Sequence, residues 1–264
     1  MAKLMKKGGF RMLPTLPLLG LQFHPLTPYR LAEAALSRYE TEGSATIVTP
    51  NALMLAAICH RPALRQLLAE FDLTAPDGDG VRLAARLCRR KIPLKCAGIE
   101  VGHALVRLAA ERGLSLFLCG GRPGVAERAA KRLTDTLPTL RIAGVCDGYQ
   151  GEAILQERIV ASGAVIVFVC LGFPKQEQFI AACRRVYPAV YAALGGSLDV
   201  YAGDRRRAPR LFQLLHAEWL WRVLCEPRRI LRLAPLPRFY LSLLANRLGL
   251  RPSRRRCDPF GKKI

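Results

Sequence analysis

Short apolar runs recur along this chain, at 45–49, 114–119, 141–146, 164–171 and 190–194. Between them lie stretches with the periodicity of helices, at 101–111, 123–137, 152–162 and 175–186. Strands that are apolar on both faces need cover on both faces, and intervening helices supply it when the strands run parallel. The alternation therefore predicts an α/β fold with a doubly wound, mostly parallel sheet. Its 264 residues, 51% of them hydrophobic, are enough to bury a sizeable core, which excludes a disordered chain.

Nine cysteines are scattered without a C-x-x-C pair, and their number is odd. That usage argues against a disulfide framework or a zinc site and fits reduced thiols in a cytosol. His24, His60, His103 and His216 show no metal spacing. The longest apolar segments, 13–23 and 163–173, fall short of the roughly 20 residues that span a bilayer. The first follows Lys3, Lys6 and Lys7 as a signal peptide would, yet Pro14 and Pro17 interrupt it and no small-x-small cleavage site follows. The expectation is a soluble chain, or one attached to a membrane without crossing it.

Charge divides the chain unevenly. The net charge is +21, and residues 205–264 alone hold 16 Lys and Arg against 3 Asp and Glu. Large apolar residues run through the same tail, among them Trp219, Trp221, Ile230, Leu231, Phe239 and Leu243, and Pro227, Pro235 and Pro237 break it into short pieces. Three parts follow: an N-terminal segment, 1–44, leading into the core; a core, 45–204; and a basic amphipathic C-terminal appendage, 205–264. Short basic amphipathic helices suit an anionic membrane surface. A packed appendage with a solvated arginine face and a nucleic-acid partner are the competing readings. No helix-turn-helix, RNA-binding or zinc-finger signature is present, so nucleic acid is not the expected partner.

In a parallel sheet, ligands sit at the carboxyl ends of the strands. Four loops at the predicted edge carry chemistry, and a turn rich in Gly and Asp adds to them. Thr49-Pro50-Asn51 offers a hydroxyl and an amide beside a helix start, groups that hold ligands but also cap helices. The segment 75–81, APDGDGV, holds Asp77 and Asp79; either one suits a general base, while the pair resembles a metal-nucleotide D-x-D. The turn GGRPG, 120–124, brings Gly120 and Gly121 where a backbone can approach a diphosphate, or where a plain tight turn needs them. In GFPKQEQF, 172–179, the polar Lys175, Gln176 and Glu177 open a helix from the end of a buried strand. Gly195 and Gly196 begin GGSLDVYAGDRRRAP, 195–209.

Taken in order, TPN at Thr49, DGDGV at Asp77, AGIE at Ala97, GGRPGV at Gly120, CDGY at Cys146, GFPKQE at Gly172, GGSLDVYAG at Gly195, RAP at Arg207, and EWLWR with EPRRILR between Glu218 and Arg232 resemble the WecG/TagA/CpsF glycosyltransferases of bacterial surface-polysaccharide assembly. The similarity covers roughly 49–233. It implies a Rossmann-like catalytic core completed by a C-terminal appendage. It also implies inverting transfer of a hexosyl group, of N-acetylmannosamine or glucose type, from a UDP-sugar to a polyprenyl-diphosphate-linked saccharide. The products are exopolysaccharides and polymers like enterobacterial antigen or teichoic acid. The implied location is cytoplasmic and peripheral, on the inner face of the cytoplasmic membrane, with no cofactor or metal; a homo-oligomer is compatible.

Position by position, the resemblance makes Asp77 the general base, with Thr49 and Gln176 at the reacting groups. It places Asn51, Lys95, Gly120, Gly121, Lys175, Glu177, Gly195, Gly196 and Arg207 around the substrates, and Arg222, Arg229 and Arg232 on the acceptor diphosphate, a task suited to the bidentate guanidinium. Two departures stand out. Lys95 to Glu100 replaces the family's Arg-Val-x-Gly-x-Asp, and Asp79 stands where a small or apolar residue is usual. The rival from another class is a noncatalytic nucleotide-sugar or nucleic-acid binding protein on the same sheet. An NAD-linked oxidoreductase is opposed by the missing G-x-G-x-x-G.

Overall fold

The computed structural model describes residues 13–204, 209, 212, 218–225, 227 and 230–250. It is an α/β protein whose main sheet has six strands, all parallel, with helices on both faces. The strands are β3 (Ala45–Val48), β4 (Leu73–Thr74), β5 (Ser115–Gly120), β6 (Arg141–Cys146), β7 (Ile166–Cys170) and β8 (Val190–Ala193), in the order β4-β3-β8-β7-β5-β6. All five apolar runs of the sequence are strands, and the short β4 extends the sheet beyond β3.

Alternation along each strand sorts the core into two layers, because successive side chains point to opposite faces. Val48, Phe117, Val167, Val169 and Tyr191 lie on one face. There they meet α2 (Ala52–His60), α3 (Pro62–Ala69), α4 (Asp79–Leu87), α7 (Glu152–Ser162) and α8 (Lys175–Cys183). Ile47, Leu116, Leu118, Ile166 and Phe168 face the other layer. That layer is α1 (Pro28–Glu42), α5 (Gly98–Arg112), α6 (Val125–Thr136) and α9 (Ser197–Tyr201). Burial on both sides is what made these strands read as continuous apolar runs.

The segment 13–23, with its signal-like look, contains a hairpin. Strands β1 (Leu16–Leu18) and β2 (Leu21–Phe23) pair antiparallel around Leu19 and Gly20, both at positive φ, the geometry of a two-residue hairpin turn. Leu18, Leu19, Leu21 and Phe23 are buried in the first core layer. His24 then ties the hairpin to the sheet: its N–H donates to the Thr74 carbonyl at 2.8 Å, and its Nδ1 accepts from the Thr74 N–H at 3.1 Å.

In the C-terminal region the described helices are α10 (Glu218–Cys225), α11 (Ile230–Leu233) and α12 (Pro235–Arg247). Helix α12 lies across α2 and α4, burying Phe239 and Leu243. Its Tyr240 hydroxyl donates to the Gly80 carbonyl at 3.0 Å. Among the described residues no helix is long and apolar enough to cross a membrane.

The connections decide where a ligand fits. The chain leaves β5 for α6 on one face and leaves the adjacent β7 for α8 on the other. Loops diverging from neighbouring strands open a crevice at their carboxyl ends.

Candidate active site

Strand β3 ends at Val48 and hands the chain to Thr49, which is buried, and Asn51, which is half-buried. Asn51 caps α2, its Oδ1 accepting from the N–H groups of Leu53 and Met54 at 3.0 and 3.2 Å. The capping role is therefore filled, and it consumes the carbonyl oxygen while leaving the Nδ2 donors. The next strand delivers its own loop to the same place. Ala75 N–H bonds Val48 O at 2.9 Å, and Asp77 N–H bonds Pro50 O at 3.1 Å. Backbone hydrogen bonds thus stitch the Asp77 loop to the Thr49 turn, and Gly78, at φ 89°, redirects the chain into α4.

A third segment closes against these two. Cys96 N–H bonds Pro76 O at 2.9 Å. Burial pushes the Cys96 thiol up to about 12, with the carboxylates of Glu100 and Asp77 adding to the rise. Cys96 is accordingly a neutral packing residue and no nucleophile. Gly98 opens α5 directly against Thr49: a Cβ there would lie 2.8 Å from Thr49 Oγ1 and 3.9 Å from Leu194 Cδ2. The start of α5, the end of β3 and the end of β8 converge on one hydroxyl.

Leu194 leads to Gly195, whose N–H donates to Gln176 Oε1 at 3.0 Å. Gln176 Nε2 donates to Glu177 Oε1 at 2.8 Å. These bonds fix the amide's orientation and, among the described residues, leave one Nε2–H and one Oε1 lone pair for a ligand. Glu177 lies beneath this arrangement at 0% exposure, so it supports Gln176 from below. Its Oε2 has no hydrogen-bond partner among the described residues, and burial raises its pKa. Lys175, one position earlier, is exposed.

At the next part of the edge, a Cβ on Gly120 would stand 2.3 Å from the Cys170 carbonyl oxygen, so only glycine fits. Gly121 N–H bonds the same carbonyl at 3.3 Å, and Gly121 O accepts from Gly148 at 2.9 Å. The N–H of Gly121 is thereby committed inside the protein. This glycine contributes room at the edge rather than a donor.

Asp79 Oδ1 pairs with Arg82 at 3.0 Å and its Oδ2 with Lys95 at 3.6 Å. Both oxygens of Asp79 are thus engaged by cations. Among the described residues, no group of three or more His, Cys, Asp or Glu could hold a metal ion.

The structure brings together Thr49, Asn51, Asp77, Gln176 and Gly195, links Lys95 to them through Asp79, and sets Gly120 and Gly121 farther along the edge. Gly196 is exposed at the start of α9, and Arg232 is exposed on α11. Arg207 and Arg229 lie outside the described residues, as does the side chain of Arg222 on α10. Two residues the sequence did not single out bear on the site: Gly98, which backs Thr49, and Tyr240, which clamps Gly80. Only the AGIE motif hinted at the first. A separate cavity of about 320 Å³ lies by Thr46, Phe71 and Arg184 at the opposite end of β3, away from these loops. The model of the Glycosyl transferase WecG/TagA/CpsF family matches residues 16–253, a span that includes all five loops and α12.

Proposed function

Because the chain belongs to the WecG/TagA/CpsF glycosyltransferase family, a family of surface-polysaccharide synthesis, we propose that it transfers a hexosyl group from a UDP-sugar to a polyprenyl-diphosphate-linked saccharide with inversion at the anomeric carbon. The carboxylate of Asp77 takes the proton of the acceptor hydroxyl. The oxygen so released bonds to the anomeric carbon from the face opposite UDP, the bond from that carbon to the diphosphate breaks, and UDP leaves with the electron pair. A carboxylate suits a neutral alcohol nucleophile at a centre that turns cationic. Thr49 and the free Nε2–H of Gln176 orient the sugar, Asn51 Nδ2 and Lys95 contact the substrates, and Gly120, Gly121 and Gly195 leave space for the nucleotide. Arg207, Arg222, Arg229 and Arg232 meet the diphosphate, which spares the reaction a bound cation.

The observation that carries this reading is the lacing of the Asp77 loop to Pro50, one residue from Thr49, on the edge where Gln176 holds Gly195. The proposed site of action is the inner face of the cytoplasmic membrane. Exposed Leu220 and Leu224 on α10 and Ile230 and Leu231 beside Arg232 on α11 support it, since apolar side chains next to arginine suit an anionic interface.

The test offers a panel of radiolabelled UDP-sugars with a synthetic polyprenyl-diphosphate saccharide, with and without chelator. We expect chelator-resistant transfer, and for Asp77→Asn a loss of about 10³-fold or more with UDP binding by calorimetry nearly unchanged. Turnover retained by Asp77→Asn would reject the base assignment. Absence of transfer from every donor, with nucleotide-sugar binding intact, would leave a noncatalytic binding protein.

A further inference from the structure

An open cavity of about 700 Å³ lies between α4, the segment that follows it and the end of α12. Arg82, Arg86, Arg90, Lys91 and Arg247 line it, and no acidic residue is among its lining residues. Arg82 and Arg86 stand one turn apart on α4, a spacing at which like charges repel. Arg89 adopts a left-handed backbone, φ 56°, uncommon for a residue with a side chain, at the point where α4 ends and Arg90 and Lys91 enter the lining. From the other side, Arg247 Nη1 donates to the Arg86 carbonyl at 3.1 Å, and Arg89 Nη2 donates to the Arg247 carbonyl at 3.4 Å. The fold thus gathers five cations from two separate parts of the chain around one space. Such a concentration of donors in a concave, positively charged site suits a phosphate-bearing anion.

The neighbours of these cations indicate where that phosphate comes from. Leu83 follows Arg82, Leu94 follows Pro93 of the lining, Leu244 lies one turn before Arg247, and Leu248 directly follows it; all four are exposed. A site for a dissolved nucleotide gains nothing from leucines turned to water. Basic groups flanked by exposed leucines match the boundary between headgroups and acyl chains.

We propose that this cavity is a headgroup site for an anionic glycerophospholipid, which seats α4 and α12 on the bilayer and brings the Asp77 loop to its surface. The inference rests on the membrane part of the function proposed above and adds a contact distinct from the arginines assigned to the acceptor. Arg82, which lines the cavity, pairs with Asp79, two residues from Asp77. A lipid phosphate in the cavity would therefore sit close to the loop that carries the base.

The test uses the full chain and sedimentation with vesicles of phosphatidylcholine alone or of equimolar phosphatidylcholine and phosphatidylglycerol. We expect salt-sensitive binding to the second and little to the first. Arg86→Gln/Lys91→Gln should weaken that binding about tenfold or more, from the usual contribution of a basic residue near an anionic surface. Its thermal midpoint and UDP affinity should stay those of the wild type, because both side chains are exposed. Arg86→Glu/Lys91→Glu, repelled by the same vesicles, is the second variant should the first fold poorly. Wild-type vesicle binding in both variants would overturn the site while leaving glycosyl transfer, assayed with detergent-dispersed acceptor, untouched. A wild-type chain that ignores anionic vesicles would overturn both this site and the membrane part of the function. Saturable binding of free glycerol 3-phosphate at the cavity, abolished by Arg86→Gln/Lys91→Gln without any change in vesicle binding, would overturn the lipid assignment in favour of a soluble phosphate.

Discussion

Gln176 and Glu177 are adjacent, but the first turns its amide toward the β8 loop and the second is sealed from water. Desolvation holds the Glu177 carboxyl above its ordinary 4.5, so the folded chain retains a proton that the unfolded chain releases. Its contribution to stability is complete below the unfolded value and declines as pH rises through the folded one. In Glu177→Gln the acceptor oxygen for Gln176 remains and the titration vanishes. Urea unfolding across that pH range should show wild-type stability falling while the variant stays flatter; parallel profiles would contradict the buried proton. Gly98 makes a second point at this scale. An alanine there would press its methyl against Thr49 Oγ1, and displacing a positioning hydroxyl by a fraction of an ångström lowers turnover by on the order of tenfold. We expect Gly98→Ala to reduce kcat by about that factor with near-normal unfolding, whereas unchanged kinetics would remove Thr49 from the reacting group.

Elements owe their positions to contacts that periodicity does not reveal. The hairpin β1–β2 depends on His24, whose Nδ1 must be unprotonated to accept from Thr74. Burial, and then the charge of Arg38, lowers its pKa below 6.5. This contribution is present above 6.5 and lost as pH falls through the folded value. Hydrogen exchange, corrected for intrinsic rates, should show residues 16–23 losing protection on acidification before β5 and β7 do. Uniform loss across the sheet would refute a hairpin-specific latch. The five longer strands were legible in the sequence because each reads as an apolar run, four of them nearly or fully buried on both faces and the edge strand β6 partly so. Strand β4 was not, since two residues carry no period. Helix α4 hid behind Asp77-Gly78-Asp79-Gly80, which reads as a turn although Asp79 already belongs to the helix. At the site, Thr49, Asn51 and Gln176 stood out as polar residues after apolar runs, and Asp77 stood out as part of an Asp- and Gly-rich turn. The support of Gln176 by Glu177 and the approach of Gly98 to Thr49 arise only in three dimensions.

At the scale of the whole molecule, α12 joins the two ends of the argument, because the helix that lines the cationic cavity also buries Phe239 and Leu243 over α2 and α4. Two large apolar side chains contribute roughly 3–6 kcal/mol when fully buried, against a total of about 5–15 kcal/mol for an ordinary domain. The sheet and the helices up to α9 keep their mutual contacts without α12. A chain ending at Gly203 should therefore still fold, at a clearly lower urea midpoint, and retain UDP binding. It should lack transfer, because it loses the Tyr240 clamp on Gly80 three residues from Asp77 together with every arginine proposed for the acceptor. It should also lose binding to anionic vesicles, because Arg247 and the α12 leucines go with it. The measurements are circular dichroism through unfolding, calorimetry with UDP, the radiolabel assay and vesicle sedimentation on one preparation. Full transfer by this shortened chain would show that the catalytic site is complete within the first 203 residues and that the basic tail serves another purpose. A chain that cannot fold at all would show instead that α12 is integral to the core.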